Sequence, residues 1–202
     1  MNADKAAFFD SQTESEWSSS DYTETELMKI RRILVAARIQ PGSRVIEPGC
    51  GTGRLTRIMS QLVGPRGHVL ASEISPKMLE KARMCIGDTD NVELFLGPIE
   101  DFYLEKHSFD AVVCHNVFPH FDDKPSVVLR LAHGLKLHGS FVVSHFMNSS
   151  GVNDLHRKTN PAVARDFLPC DDEMKGLFAE SGLVISYILD DEHGYLLKAL
   201  RQ

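Results

Sequence analysis

The segment Glu47-Pro48-Gly49-Cys50-Gly51-Thr52-Gly53 puts a carboxylate at the head of a glycine-rich turn, and Glu73 follows about 20 residues after that turn. Glycines let backbone approach a ligand closely, and amides at the start of a following helix point into the same space. A dinucleotide site needs a third small residue three positions after the second glycine, where this chain has Arg54. Glu47 would also repel a diphosphate across a low-dielectric cleft, whereas the same charge suits an ammonium or sulfonium ligand. A nicotinamide or flavin oxidoreductase is therefore disfavoured. Glu73 stands at the separation from the turn at which a carboxylate meets the two hydroxyls of a ribose.

Histidines supply the second set of candidates. His115 and His120 fall in His115-Asn116-Val117-Phe118-Pro119-His120, and an imidazole titrating near neutrality can take a proton from an acceptor hydroxyl or thiol. Further along, His145, Asn148, Asn153 and His156 lie in a polar stretch that would line an acceptor pocket. With Cys170 these histidines have the chemistry for a zinc-like ion, but their spacing matches no metal motif, and no metal is expected. The alternative function is a non-catalytic protein that binds a metal or partner through this His-bearing stretch.

The elements that must position these groups alternate. Glu24 to Ala37 has apolar residues at helical spacing, ended by Gln40-Pro41-Gly42. Val45-Ile46 forms a strand running into the glycine turn, and Leu55, Ile58, Met59 and Leu62 mark the helix after it. Strand His68 to Ser72 and helix Pro76 to Cys85 repeat the unit. Strands at Val92 to Leu96, Asp110 to Cys114 and Ser140 to Ser144 follow, with a helix from Lys124 to Leu135 between the last two. These strands are nearly continuous apolar runs, as in a parallel sheet covered on both faces. Residues 145–170 show no strong period and read as an insertion over the cleft. A helix at Asp171 to Ser181 leads to two runs, Val184 to Leu189 and Tyr195 to Leu200, that form an antiparallel hairpin. The expected fold is α/β: one doubly wound, mostly parallel seven-stranded sheet in a single domain spanning 1–202, with residues 1–23 a cap or a flexible segment.

Bulk properties exclude several classes. The 202 residues, 43% apolar, suffice for one hydrophobic core. No apolar run approaches the ~18 residues of a membrane span, and the acidic N-terminal stretch lacks signal-peptide character. A net charge of −6 opposes attraction to a nucleic-acid backbone. Four scattered cysteines, Cys50, Cys85, Cys114 and Cys170, suggest reduced thiols in the cytoplasm.

Val45 to Thr56 and His68 to Leu79 together resemble the first two motifs of the class I S-adenosylmethionine-dependent methyltransferases, and Asn91 to Glu100 and Phe109 to Phe121 are similar to the next two. The resemblance covers about residues 24–144 and implies a Rossmann-like fold and methyl transfer from S-adenosylmethionine to a small molecule. It assigns Glu47 and the turn Gly49, Cys50, Gly51, Thr52 and Gly53 to the methionine part of the cofactor. Glu73 would hold the ribose, with Ile74, Met78, Ile99 and Glu100 around the adenine, and His115 and Asn116 at the methyl end. Pro98 stands where the family commonly has an Asp, so Glu100 or Asp101 would take its place. The stretch from Ala7 to Trp17 is similar to a leading segment that folds over the cleft in small-molecule members, which brings Trp17 to the acceptor alongside His120, His145, Asn148 and His156.

Overall fold

The computed structural model describes residues 2–15, 18 and 20–202. Trp17, expected at the acceptor, lies outside the described residues.

Strand β1 (Arg44–Pro48) sends Val45 to one face of the sheet and Ile46 to the other, and both are fully buried. The alternation repeats in β2 (His68–Glu73), β4 (Phe109–His115) and β5 (Leu135–His145), where Val69, Val113 and Val142 oppose Leu70, Val112 and Val143. Two helical layers explain why both faces are apolar. On one side α2 (Glu24–Ala37) and α3 (Arg54–Val63) bury Ile30, Ile33, Leu55 and Met59, and α4 (Pro76–Ile86) adds Leu79 and Ala82. On the other, α5 (Lys124–Gly134) and α7 (Asp171–Glu180) bury Val128, Leu131, Met174 and Phe178.

With β3 (Val92–Leu96), β6 (Leu183–Asp191) and β7 (Gly194–Arg201), the sheet runs in the order β3-β2-β1-β4-β5-β7-β6. All pairings are parallel except those of β7, which runs antiparallel to β5 and β6. Strand order reverses between β1 and β4, and open α/β sheets place their ligands in the crevice beyond the carboxyl ends of such a pair. The anticipated doubly wound sheet with its closing hairpin is thus the observed one.

Local signals set the helix starts. Thr23 begins α2 with a capping box: Glu26 N donates to Thr23 Oγ1 at 3.2 Å, and Thr23 N donates to Glu26 Oε2 at 2.8 Å. Ser75 caps α4 ahead of Pro76, accepting from Met78 N at 3.1 Å. Residues 145–170, read from the sequence as lacking a period, contain α6 (Ser149–Lys158). That helix buries only Val152, too little apolar surface to leave a stripe in the sequence. The N-terminal segment begins with α1 (Ala3–Ser11), which packs on α4.

Gly53 lies where α3 and α4 meet: a Cβ there would stand 2.9 Å from Ala82 Cα and 3.0 Å from Ala82 Cβ. Gly53→Ala is expected to cost about 2 kcal/mol by overpacking this crossing, lowering the thermal midpoint by about 4–8 °C in a calorimetric scan. An unchanged midpoint would show that the helices can separate freely.

Among the described residues no helix is long and apolar enough to cross a membrane.

Candidate active site

The turn after β1 passes under β4's outgoing loop so tightly that a Cβ on Gly49 would lie 2.3 Å from Val117 Cγ2. Gly51, at φ 56°, is different: a Cβ there would meet nothing, because the backbone faces an open cleft. Both conformations lie in the left-handed region that glycine tolerates. The result is a bare backbone wall for a cavity of about 570 Å³, within the ~300–1,000 Å³ usual for small-molecule sites.

Two buried carboxylates face this cavity. Glu47, at the end of β1, accepts from Thr56 Oγ1 at 2.6 Å. Burial pushes its pKa up to about 8, with nearby Glu73 adding to the rise and the Thr56 hydrogen bond opposing it. Glu73, at the end of β2, accepts from Ser75 N at 2.8 Å and from Gly51 N at 2.9 Å. Burial raises its pKa as well, against the pull of those amides. The same confinement pushes the Cys50 thiol well up, so it stays protonated and acts as an apolar wall.

His115, which ends β4, and His120, in the turn after it, have different surroundings. His115 sits between Ser144 Oγ, 3.0 Å from Nδ1, and Asn116 Nδ2, which donates to Nε2 at 3.2 Å. Burial, with the Arg54 charge, pushes its pKa down to about 3. His120 Nδ1 donates to Asp166 Oδ2 at 2.8 Å. Burial lowers its pKa too, while Asp166 opposes the shift. Lys5, on α1 and itself buried, joins the group: Nζ lies 2.9 Å from Asp166 Oδ1, 2.7 Å from Asp122 Oδ1 and 2.9 Å from the His120 carbonyl. Among the described residues no group of three or more His, Cys, Asp or Glu side chains could hold a metal ion.

The structure brings together most of the residues singled out in the sequence. Glu47, Gly49, Cys50, Gly51 and Thr52 line the cavity, as do Glu73, Ile74 and Met78. Ile99 and Glu100 contribute from the short helical turn after β3, with Pro98 and Asp101 beside them. His115, Asn116 and His120 close the end over β4. Gly53 serves the helix crossing and does not line the cavity. Nor do His145, Asn148 and His156. His145 is buried, its Nε2 without a hydrogen-bond partner, and burial holds its pKa well below the usual value. Asn148 caps α6 by accepting from Gly151 N at 2.9 Å. His156 packs its ring 4.8 Å from that of His120 and hydrogen-bonds the Asp166 carbonyl. Asn153 ties residue 168 to α6 through both its amide atoms.

Sequence reasoning missed Lys5, Tyr22 and Asp166. Tyr22 lines the cavity under the Arg54 guanidinium, 4.2 Å from its ring centroid. Asp166 lies in the stretch without a period, and Lys5 in the N-terminal segment read as a cap or a flexible segment; neither carries a local signal of burial.

Comparison with known proteins identifies the family. The family profile described as "Methyltransferase domain" matches residues 39–182. A ubiquinone biosynthesis O-methyltransferase of Xanthomonas campestris pv. campestris is 32% identical over 58% of this chain and 49% of its own length. The ubiquinone/menaquinone biosynthesis C-methyltransferase UbiE of Pseudomonas savastanoi pv. phaseolicola is 31% identical over 65% of this chain and 52% of its own. The chain thus spans about half the length of these curated relatives. A SAM-dependent methyltransferase from Aquifex aeolicus has the same fold, with a TM-score of 0.70, 15% identity and full coverage of both chains. The profile match over more than half the sequence, joined to the cleft at the β1/β4 reversal, shows that the chain belongs to the methyltransferase-domain family.

Proposed function

We propose that this protein binds S-adenosylmethionine in the cleft and methylates a small-molecule acceptor. The observation that carries the reading is the pairing of a bare glycine wall at Gly51 with two buried carboxylates, Glu47 and Glu73, around one cavity. These residues fit the donor. A buried carboxylate with a raised pKa gains from a nearby cation, whereas a diphosphate would only raise that pKa further. Glu47 and the Gly49–Thr52 backbone would hold the cationic methionine part, Glu73 the ribose, and Ile74, Met78 and Ile99 the adenine. Bound there, the donor's sulfonium supplies an electrophilic methyl group, whose bonding pair stays on sulfur as the acceptor takes the carbon.

The chain's own part is alignment and exclusion of water. The described residues of the N-terminal segment, 2–15, 18 and 20–23, act as a cap. Asp10 Oδ1 accepts from Lys77 N at the start of α4, Lys81 Nζ donates to the Thr13 carbonyl, and Thr52 Oγ1 donates to the Ser18 carbonyl at 2.8 Å. On the opposite bank Lys5 grips Asp122 and the His120 carbonyl. Of the two histidines, His115 has its Nε2 lone pair occupied by Asn116, so it serves as a wall and His120 as the proton acceptor.

The net charge of −6 speaks for a small acceptor over a nucleic acid, and free thiols at Cys50, Cys85, Cys114 and Cys170 suit the cytoplasm. Calorimetry tests the reading: both S-adenosylmethionine and its demethylated product are expected to bind at one site per chain. Absence of heat with either ligand at high micromolar concentration would remove it.

A further inference from the structure

Asp166 lies in the segment joining α6 to α7, 46 residues from His120, and its two carboxylate oxygens have separate partners. Oδ2 accepts from His120 Nδ1 at 2.8 Å, and Oδ1 faces Lys5 Nζ at 2.9 Å. The His120 and Asp166 side chains are each only 12% exposed, and that of Lys5 5%. An ionised carboxylate can only accept, so the ring proton of His120 belongs on Nδ1. Nε2 then keeps its lone pair, and His120 lines the cavity. The ring is also held by contact: the Phe9 ring meets it edge-on at 5.1 Å, and the His156 ring lies 4.8 Å away. His156 is fixed in turn by its hydrogen bond to the Asp166 carbonyl.

Resting on the methyltransferase reading, we propose that Asp166 is a positioning residue that sets the His120 tautomer, and that the acceptor carries a neutral hydroxyl whose proton His120 removes. A hydroxyl oxygen becomes a competent nucleophile only as its proton leaves, so a hydrogen-bonded base acts where it is needed. A carboxylate or a free amine already offers a lone pair and would gain nothing from this arrangement. In the transfer the hydroxyl proton passes to His120 Nε2, and the O–H bonding pair stays on the oxygen. The imidazolium is paired with Asp166 until it releases the proton to water. Although buried, Asp166 is held below the usual carboxylate range by His120 and Lys5, so the proton remains on the imidazole. The charged and titratable groups around His120 are Lys5, Asp122, Lys124, His145, His156 and Asp166.

Two measurements test this. The first needs no substrate: nitrogen NMR of ¹⁵N-histidine-labelled full-length protein, with His120 assigned by loss of its signals in His120→Gln. The wild type is expected to show the Nδ1–H tautomer at neutral pH, and Asp166→Asn the Nε2–H tautomer, because an amide placed there donates to Nδ1. An Nε2–H tautomer in the wild type, or no change in the variant, would overturn the positioning role. The second measures methyl transfer from S-adenosylmethionine to a catechol, 3,4-dihydroxybenzoate, beside a primary amine, benzylamine. Transfer is expected to the hydroxyl. Asp166→Asn should lower kcat by about 10²- to 10⁴-fold with little change in KM, and Asp166→Glu should restore part of it. The wild-type rate should be flat above neutrality, whereas the Asn variant should climb with the acceptor's own ionisation. Product from the amine alone, or from neither acceptor while calorimetry shows the donor bound, would overturn the acceptor class. Failure of the donor to bind would instead remove the reading beneath it.

Discussion

Glu47→Gln is expected to weaken S-adenosylmethionine binding by about 10- to 100-fold at pH ~8, the loss of one charge-assisted contact of about 1.5–3 kcal/mol. The raised pKa of Glu47, about 8, gives this prediction a second edge. At neutral pH the empty site holds Glu47 largely protonated, and a cationic ligand beside it favours the ionised form. Binding therefore expels a proton, and affinity in the wild type should rise with pH toward about 8 before levelling. Calorimetry in two buffers of different ionisation enthalpy would read the released proton directly; the Gln variant should release none through this site. Equal proton release by both proteins would separate Glu47 from the cation.

The same group makes a stability prediction of definite sign. Its folded pKa lies above the ordinary value of 4.5, so the folded chain binds the proton more tightly than the unfolded chain does. Without ligand, stability should fall as pH rises from about 4.5 to about 8, and Glu47→Gln should flatten that slope. The residue thus costs stability in the free protein, which is the usual sign of a side chain retained for binding.

Lys5→Met is expected to release α1 from the body of the protein. Breaking a buried ion pair costs about 3–5 kcal/mol, because the carboxylate left behind loses its compensation. Asp166 would keep only His120, and Asp122 would turn to water. Since α1 buries only Lys5 and Ala6, the loss should appear as local undocking rather than global unfolding. Hydrogen exchange of the amides in Ala6–Ser11 should accelerate by about two orders of magnitude, with the thermal midpoint of the sheet little changed. Protection equal to that of the wild type would mean that the α4 contacts of Asp10 and Lys81 hold the segment alone. Donor dissociation should quicken in step with the undocking, which would identify α1 as part of the cap.

Much of this protein is legible along the chain because its signals are local. Val45-Ile46 and Val112-Val113 are pairs whose members must both be buried, which only a two-faced sheet allows. Ser75-Pro76 and Thr23 to Glu26 start their helices through contacts three residues away. The proposed donor site follows the same rule, since Glu47, Gly49 and Gly51 lie in one turn and Glu73 ends the next strand. Helix α6 escaped notice because a helix with one buried residue leaves no period.

The sequence alone settled the sheet, the glycine turn and the two carboxylates at its rim, since each depends on neighbours a few positions away or on the repeat of a strand. It offered His115 and His120 as equals. Only the packed chain told them apart, by giving one an amide on its Nε2 and the other a carboxylate on its Nδ1. That carboxylate is 46 residues away, and the lysine gripping the His120 backbone is 115 residues away. Pairings over such distances form when helix α1 and the segment between α6 and α7 settle on the same end of a sheet, and no spacing within either segment records them.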